Sequence, residues 1–479
     1  MKLYNTLSKN IETLREPDKN KPITLYTCGP TVYDETHIGH MRKYTMDDTL
    51  KRTLKYLGYE VNHVMNITDV GHLSGDDDTG EDKLEKGAKK QGKTVWDVAK
   101  YYTDKFFETM DALNIIRPDK VVKATEHIKQ MIDLVKHLEE KGFTYQTDEA
   151  VYFDVTKFRA YGRLSGQRLE EKKQAARGDV YVDPGKKHPA DFALWFKRVG
   201  RFKDHTMHWE SAWGDGFPGW HIECSAMSMA YLGETIDIHT GGIDHIPVHH
   251  ENEIAQSEAA TGKKFVNFWV HHAFLQVENE KMSKSKENYF TLEDLRKHNI
   301  DPLAMRYLFL QTHYRQEMNF TWKAAKAAQE AYFRLRDYYI RIQSVVNNLL
   351  APEFTGNKLI EINNTKRNFL HEFNSFISED LNTSRALGTI WNLVGSELPE
   401  KDKKELLEKF DEVLGFNFKD LDEIKLPSHI QDLKVERDDF RIKKDYIKAD
   451  EIKTELNKLG YEVQDSAIGT IVIPGEKKK

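Results

Sequence analysis

The sequence predicts an α/β protein in which a parallel-sheet domain is interrupted by an insertion and followed by α-helical domains. Three observations predict this architecture. An early β–α–β pattern runs from a strand at residues 23–27, through a helix at 38–57, to a second strand at 59–68, and such units build parallel sheets. Between residues 116 and 219 the chain changes to short strands and turns. From about Tyr289 onward the apolar periodicity is almost entirely helical.

Local composition predicts each element of the β–α–β unit. The first strand is short and rich in β-branched and aromatic residues. The helix carries an apolar stripe that includes Leu50 and Leu54, and Gly58 is a suitable residue to end it. Binding sites of parallel sheets form at the carboxyl ends of the strands. Cys28 and Thr68 fall at two such ends, so we expect both to face a site.

The remaining elements follow in chain order. Further helices are predicted at residues 96–114 and 126–141, and a strand within the insertion is predicted at 149–154. The β/α pattern resumes with a strand at residues 235–239, and a helix follows Pro247. Residues on both sides of the insertion are therefore expected to build the first domain.

Composition is that of an ordinary globular protein and excludes several classes. The 479 residues suggest about three domains. The net charge is −6, with 39% hydrophobic and 31% charged residues, so the overall charge indicates neither nucleic-acid nor membrane binding. The two cysteines, Cys28 and Cys224, exclude a disulfide scaffold and favour a reducing compartment. No apolar run approaches the roughly 18 residues of a membrane span, and a soluble, cytoplasmic protein is expected.

A histidine pair follows the first strand, in the sequence His37-Ile38-Gly39-His40. Two imidazoles one helical turn apart can face one ligand, and Gly39 lets a flat ring or a phosphate approach the backbone. The helix N-terminus adds free N–H groups and partial positive charge, which suits phosphates. Taken alone, the tetrapeptide is more often two surface histidines at the start of a helix.

A second motif follows the last predicted strand, with the sequence Lys281-Met282-Ser283-Lys284-Ser285. Its two lysines can hold a triphosphate as mobile point charges, although the motif alone could be a solvated basic loop. Both motifs together, in this order within an interrupted β/α domain, resemble the class I aminoacyl-tRNA synthetases.

This resemblance implies roles for the residues of both motifs. His37, His40, Lys281 and Lys284 are implied as catalytic residues that also bind ATP, and Gly39 as part of the ATP site. They would stabilise the transition state in which a carboxylate attacks the α-phosphate, so that catalysis depends mainly on positioning and charge stabilisation.

A third group of residues has side chains that zinc accepts, namely Cys28, Cys224, His249 and Glu253. Thiolate, imidazole and carboxylate are all zinc ligands, and His249 and Glu253 lie four residues apart, so they share a helix face. The cysteines alone could equally be two small buried apolar residues. The His249/Glu253 pair alone is more often a surface polar pair.

Together with their flanking segments, these residues closely resemble the cysteinyl-tRNA synthetase family. The resemblance implies that the four positions hold one Zn(2+) ion per chain, which binds the thiolate of the substrate L-cysteine. Zinc favours thiolate over a neutral hydroxyl, whereas a hydrophobic pocket separates cysteine from serine poorly. Four protein ligands usually mark a closed structural site, so the metal must accept a fifth ligand or release one. His250 is the main alternative to His249 as a ligand, and His245 is a second.

The same resemblance implies further site residues. Thr68, Trp220 and His239 would line the cysteine pocket, although their ordinary interpretations are a strand-end hydroxyl, a core indole and a core histidine. Asp244 matches a family position that contacts adenosine, where a carboxylate can accept hydrogen bonds from ribose hydroxyls. The implied partners are tRNA(Cys), L-cysteine and ATP with Mg(2+), and a monomer is expected.

The resemblance covers nearly the whole chain and implies an order of regions. These are a Rossmann-like catalytic domain in two halves (1–115 and 220–290), an inserted connective domain between them (116–219), a stem-contact helical region (291–345), a helical bundle (346–415) and a C-terminal anticodon-recognition region (416–479). The sequence departs from many relatives in the acidic segment 71–80, to which we assign no role.

The implied reaction is activation of L-cysteine with ATP to cysteinyl-adenylate, followed by transfer to the 3′ end of tRNA(Cys). Two alternatives remain open. A related ATP-dependent ligase that joins cysteine to an amino sugar would have a similar cysteine site, but a small acceptor would not need the long C-terminal part from about residue 346. A zinc-stabilised RNA-binding protein on a degenerate scaffold would not require the histidine pair and both lysines.

Overall fold

The structure is a computed structural model that describes residues 1–71, 73, 82–169, 183–282, 288–348, 354–421, 426–466 and 469–474. Two features of the sequence lie outside these residues. One is the end of the lysine motif, residues 283–285, which includes Lys284. The other is most of the acidic segment, residues 72 and 74–80.

Strands and helices alternate through the first part of the chain. The described strands are β1 (Lys2–Asn5), β2 (Asn10–Thr13), β3 (Ile23–Thr27), β4 (Val61–Ile67), β5 (Lys120–Lys123), β6 (Thr144–Gln146), β7 (Ala150–Phe153), β8 (Phe192–Lys197), β9 (Gly216–Pro218), β10 (Ile236–Gly242), β11 (Val266–His272), β12 (Leu275–Val277), β13 (Glu280–Lys281), β14 (Met318–Phe320), β15 (Tyr461–Ser466) and β16 (Gly469–Pro474). The described α-helices are α1 (Ile38–Tyr56), α2 (Lys83–Gln91), α3 (Val95–Ala112), α4 (Ile128–Glu140), α5 (Trp220–Leu232), α6 (His249–Thr261), α7 (Leu292–Lys297), α8 (Pro302–Leu310), α9 (Trp322–Asn348), α10 (Gly356–Ser378), α11 (Thr383–Val394), α12 (Glu400–Leu414), α13 (Ser428–Ile442) and α14 (Tyr446–Lys458).

Five parallel strands form the central sheet, in the spatial order β11–β10–β3–β4–β5. Helix α1 connects β3 to β4, so the predicted β–α–β unit is confirmed. At the carboxyl end of β3, Thr27 pairs with Met65 on one side and with Thr240 on the other. Cys28 and Thr68 directly follow β3 and β4, so both lie at the same edge of the sheet.

The central sheet reaches into the range that was expected to be the insertion, 116–219. Strand β5 pairs in parallel with β4, and the antiparallel sheet of the insertion, in the order β6–β7–β8–β9, begins only after α4. Strand β5 was not predicted from the sequence, because Lys-Val-Val-Lys is short and has charged ends. Such a segment has no periodicity that distinguishes a strand from a loop.

The main hydrophobic core lies between the sheet and the helices α4, α5 and α6. It includes the buried residues Tyr26, Val64, Met131, Met227, Ile254 and Trp269. Cys28 and Cys224 belong to the same cluster. The two thiols therefore lie where the packing of apolar side chains excludes water.

The chain divides into two compact units. The first contains Met1–Ala325 and Phe376–Ser384, and the second contains Lys326–Ser375 and Arg385–Lys479. The boundary falls inside α9, within the range expected to be the stem-contact region (291–345).

In its described part the second unit is helical, as predicted, apart from the antiparallel hairpin β15–β16 near its C-terminal end. In the first unit, β14 is a further short strand after Tyr289. The hairpin packs on α13 and α14 through Ile430, Ile452, Leu456, Val463 and Val472. These strands were not predicted, because a short strand is stable only when it pairs or packs with another element. Local periodicity does not reveal such a partner. Among the described residues, no helix has both the length and the apolar character that a membrane span requires.

Candidate active site

A buried cluster of metal-ligand side chains lies at the carboxyl edge of the sheet. Cys28 follows β3, Cys224 lies on α5, and His249 and Glu253 lie one turn apart on α6. Their ligand atoms all lie within 4.8 Å of one another, and all four residues are buried. Segments that are distant in sequence thus place two sulfurs, an imidazole and a carboxylate around one point.

Burial and mutual charge set the protonation of this cluster. Burial raises the pKa of the Cys28 thiol, and a hydrogen bond with Cys28 together with burial raises the pKa of Cys224 well above its ordinary value. Burial acts to raise the pKa of Glu253, but His239 and His249 outweigh it and lower that pKa to about 2. Burial opposes protonation of His249, but Glu253 and Cys224 raise its pKa to about 10. Two thiols thus lie beside an imidazolium–carboxylate pair, and a cation that binds there must displace protons.

The donor set fits a zinc ion. Glu253 Oε1 lies 2.9 Å from His249 Nε2, yet this buried oxygen has no hydrogen bond of acceptable geometry. An unsatisfied buried acceptor costs about 1–3 kcal/mol, and a cation at that point would remove the cost. Sulfur and imidazole donors suit zinc and do not suit the hard cations magnesium and calcium.

A second arrangement shares part of this cluster. Its four residues, whose ligand atoms also lie within 4.8 Å of one another, are Cys28, His239, His250 and Glu253. His250 Nε2 lies 3.3 Å from Cys28 Sγ and 3.9 Å from Glu253 Oε1, and His250 Nδ1 is hydrogen-bonded to His271 at 2.7 Å. Because His249 lies nearer to Glu253 and is grouped with both sulfurs, the geometry favours His249 over His250. His245 belongs to neither group.

Of the three residues predicted to line the amino-acid pocket, His239 and Trp220 contact the cluster, whereas Thr68 contacts Glu223, the residue before Cys224. His239 is fully buried on β10, and its Nε2 lies 2.9 Å from Glu253 Oε2. The Trp220 ring, at the start of α5, stacks on the imidazole of His249, with the ring centroids 4.2 Å apart. The Thr68 hydroxyl donates a 3.0 Å hydrogen bond to the buried carboxylate of Glu223. His239 therefore contacts Glu253 of the buried cluster directly.

The histidine pair has a defined geometry at the start of α1. His37 is the N-cap residue, and its Nδ1 accepts hydrogen bonds from the backbone N–H groups of Gly39 at 3.1 Å and His40 at 3.3 Å. An Nδ1 that accepts requires the proton on Nε2, so the outer nitrogen of His37 is a donor. The His40 ring stacks on His37, with centroids 3.7 Å apart.

The lysine motif begins directly beside this histidine pair. A Cβ added to Gly39 would lie 2.7 Å from Met282 Cε, so Met282 covers the glycine. Lys281 ends β13 and is exposed, and its carbonyl accepts a 3.2 Å hydrogen bond from Asn288 Nδ2. Beyond it, Tyr289 packs edge-on against His37 with centroids 4.7 Å apart. The structure therefore brings the start of the second motif to the first.

Asp244 lies outside the buried cluster, as an exposed residue in the turn after β10. A Cβ at Gly242 would lie 2.2 Å from its Oδ1, so a side chain there would displace the Asp244 carboxylate. The charge of Asp244 acts on His40, which is consistent with a position on the side of the histidine pair.

Three residues of the site were missed from the sequence. Lys43 Nζ donates a 2.6 Å hydrogen bond to the carbonyl of Cys28, Glu223 anchors Thr68, and the Tyr289 hydroxyl donates a 2.6 Å hydrogen bond to the carbonyl of Glu35. Lys43 lies one helical turn after His40 and could have been found from that spacing. The contacts of Glu223 and Tyr289 join residues far apart in sequence, and no local signal indicates them.

The comparison with known families defines the class. Residues 14–330 match the family described as tRNA synthetases class I (C) catalytic domain. The fold agrees with this match. One similar solved structure is a methionyl-tRNA synthetase of Mycobacterium tuberculosis in complex with methionyl-adenylate. It superposes with a TM-score of 0.56 at 16% identity, and the superposition covers 83% of this chain and 88% of that chain. A LeuRS of Agrobacterium radiobacter K84 in a ternary complex gives a TM-score of 0.60 at 12% identity, with 84% of each chain covered. The fold is that of a class I tRNA synthetase.

Curated relatives narrow the family further. A cysteine–tRNA ligase of Treponema denticola is 42% identical over 486 residues, covering 98% of each chain. Cysteine–tRNA ligase 1 of Burkholderia lata is 42% identical over 98% of this chain and 95% of its own length, and the enzyme of Borrelia hermsii is 39% identical over 99% and 100%. The chain belongs to the cysteine–tRNA ligase family.

Proposed function

We propose that this chain activates L-cysteine with ATP to cysteinyl-adenylate and transfers it to the 3′ end of tRNA(Cys). The observation that carries the proposal is the buried group of Cys28, Cys224, His249 and Glu253, in a chain whose full-length relatives are cysteine–tRNA ligases. A family likeness alone gives the class of reaction. The two sulfurs and the imidazole at one point give the reason why cysteine is the amino acid.

The amino-acid pocket is formed around this group. Zinc held by Cys28, Cys224, His249 and Glu253 would lower the pKa of the substrate thiol and favour a thiolate over the neutral hydroxyl of serine. His239 holds Glu253 in place by a 2.9 Å contact, and the Trp220 ring covers the His249 imidazole. The apolar packing around the cluster excludes water, which strengthens each of these electrostatic interactions.

The adenylation chemistry belongs to the second part of the site. The carboxylate oxygen of cysteine forms a bond to the α-phosphorus of ATP, and pyrophosphate leaves. His37 presents its Nε2–H as a donor because its Nδ1 is engaged in capping α1, and the α1 N-terminus adds partial positive charge. Lys281, Lys284 and His40 supply further donors to the phosphates, and Mg(2+) accompanies ATP. Asp244 accepts hydrogen bonds from the ribose hydroxyls.

The first experiment is charging of a total tRNA pool with labelled cysteine, with and without a zinc chelator. Acid-precipitable label that depends on both tRNA and zinc is expected. The matched control is labelled serine, which should give far less label, because its hydroxyl is a much weaker acid than a thiol and binds zinc more weakly than a thiolate does. Label that survives complete removal of zinc from the protein would contradict the metal assignment.

Two other outcomes would change the proposed reaction. Pyrophosphate exchange with cysteine but without tRNA charging would indicate the amino-sugar ligase, which the full-length relatives do not favour. Neither activity in a folded, zinc-loaded chain would indicate a degenerate scaffold. The proposal also includes a monomer in the cytoplasm, and the two free thiols support a reducing compartment. Elution at the monomer position in size-exclusion chromatography would test the first of these points.

A further inference from the structure

Helices α2 and α3 present an exposed surface that combines lysines with large aromatic rings. We define the α2–α3 face by Lys89, Lys90, Lys93, Trp96, Lys100 and Tyr101, all of which are exposed. Trp96 is 50% and Tyr101 is 40% exposed, although large aromatic side chains are usually more deeply buried. Lys93 Nζ lies 5.0 Å from the centre of the Tyr101 ring. Lys93 and Tyr101 thus join positive charge and a flat ring at one point of this surface, and Trp96 and Lys100 lie one turn apart on α3.

The charge of this face opposes that of the whole chain. The chain carries a net charge of −6, whereas the face has four lysines and, within the described part of α3, two neighbouring exposed aspartates. Asp97 is engaged in the capping box with Thr94, and Asp104 lies 2.7 Å from Lys100. Lys89 and Lys90 lie in the last turn of α2, where they favourably meet the helix dipole. That role accounts for two lysines, but it does not account for an exposed tryptophan on the next helix.

The back of the same helix pair packs against the active site. Buried residues of α2 and α3 share a hydrophobic cluster with Val32, in the turn between Cys28 and His37, and with Tyr44 of α1. A Cβ at Gly87 would lie 3.9 Å from the carbonyl oxygen of Tyr33 in this turn. The α2–α3 face is therefore carried by elements that contact the turn joining the two halves of the site.

We propose that the α2–α3 face binds the acceptor end of the tRNA, with Trp96 and Tyr101 stacking on unpaired bases and the lysines contacting phosphates. The inference rests on the proposed function, which requires the 3′ end of a tRNA to reach this site. Phosphates need cations, and unpaired bases stack on aromatic rings without a specific sequence. A protein partner would also accept the aromatic rings, but the centres of protein–protein interfaces are depleted in lysine, in which this face is rich.

The test compares two reactions of the full chain in variants of this face. Pyrophosphate exchange with cysteine needs no tRNA, whereas charging does. Trp96→Ala should leave exchange unchanged and raise KM for tRNA at least about fivefold, because stacking of one base contributes on the order of 1 kcal/mol or more. Trp96→Phe retains a ring and should recover most of the loss. Equal KM values in wild type, Trp96→Ala and Trp96→Phe would overturn the role of Trp96.

Salt dependence tests the lysines separately. The double variant Lys89→Ala/Lys90→Ala should flatten the slope of log(kcat/KM for tRNA) against log[salt] by about 1.5, since each lost phosphate contact changes it by roughly 0.7–0.9. The matched control is Lys129→Ala/Lys136→Ala, two exposed lysines of α4. If the control pair flattens the slope equally, the change in salt dependence comes from the loss of positive charge in general, and the α2–α3 face is not a binding surface.

A short RNA distinguishes the acceptor end from the rest of the tRNA. A hairpin with the acceptor stem and the 3′ single strand, but no anticodon arm, should bind wild type and lose at least about fivefold in Kd with Trp96→Ala, measured by fluorescence anisotropy. A loss seen only with complete tRNA would refute the assignment to the acceptor end. Absence of cysteine-dependent exchange in wild type would instead contradict the proposed function, and this inference with it.

Discussion

Substitution of Gly39 by alanine should impair adenylate formation without weakening the fold. The added Cβ would lie 2.9 Å from His37 Cε1 and 3.0 Å from its Nδ1, which is too close for the ring to remain where it is. The Met282 Cε, at 2.7 Å, is the end of a flexible side chain and can move. The His37 ring must therefore shift in the variant, and its Nε2–H group then points in a different direction from that in the wild type.

Two effects on stability should nearly cancel. Loss of the His37 cap costs about 1 kcal/mol of helix stability, and alanine in place of glycine in a helix gains about 0.5–1 kcal/mol. The melting temperature should therefore change little. A displaced donor at a developing charge is expected to lower the rate about 10²-fold.

The assay is cysteine-dependent pyrophosphate exchange, with thermal unfolding measured on the same preparation. Gly388→Ala is a matched control, because Gly388 is an exposed residue inside α11 and a Cβ there would have no neighbour within 4 Å. It should raise the melting temperature of its unit by about 2–4 °C and leave exchange unchanged. Wild-type exchange in Gly39→Ala would refute the proposed link between the cap and the orientation of His37.

Three further predictions concern other parts of the chain. Lys284→Ala should reduce pyrophosphate exchange by about 10²-fold or more with an unchanged circular-dichroism spectrum; normal exchange would remove Lys284 from the mechanism. Cys224→Ser should lower bound zinc and raise KM for cysteine, and unchanged metal content by mass spectrometry would contradict its role as a ligand. His205 is buried with Nε2 2.9 Å from Asp82 Oδ2; burial lowers its pKa, but Asp82 outweighs burial and raises it. The stabilisation is full below the ordinary histidine pKa and is lost as pH rises through the raised value, so the melting temperature should fall as pH rises above about 6.5 in wild type and fall less in His205→Gln.

The features that the sequence predicted well are those encoded by neighbouring residues. The β3–α1–β4 unit follows from composition and periodicity over one continuous stretch. The histidine pair falls at a helix start, where the His37 side chain caps α1. The four proposed zinc ligands meet as expected, since each flanks a strand end or lies on a helix that packs beside one.

The features that the sequence did not reveal depend on contacts between distant segments. Strand β5 lies in the central sheet because β4 offers a free edge, and nothing in Lys-Val-Val-Lys indicates that edge. The choice between His249 and His250 depends on a rotation of α6 about its own axis, which the packing of α5 and β11 determines. The bond from Thr68 to Glu223 spans 155 residues, and sequence spacing carries no information about such a pair.

The position of β3 in the sheet has a consequence for synthesis of the chain on the ribosome. Strand β3 pairs with β4 soon after both are made, but its other neighbour, β10, begins at Ile236. At about 5–20 residues per second, the intervening stretch takes roughly 10–40 s to translate. Throughout that interval the nascent chain carries an open parallel edge, whose unpaired backbone groups can pair with another polypeptide. Chaperone binding to the nascent chain should therefore be strongest before residue 236 emerges and fall once β10 has closed the edge.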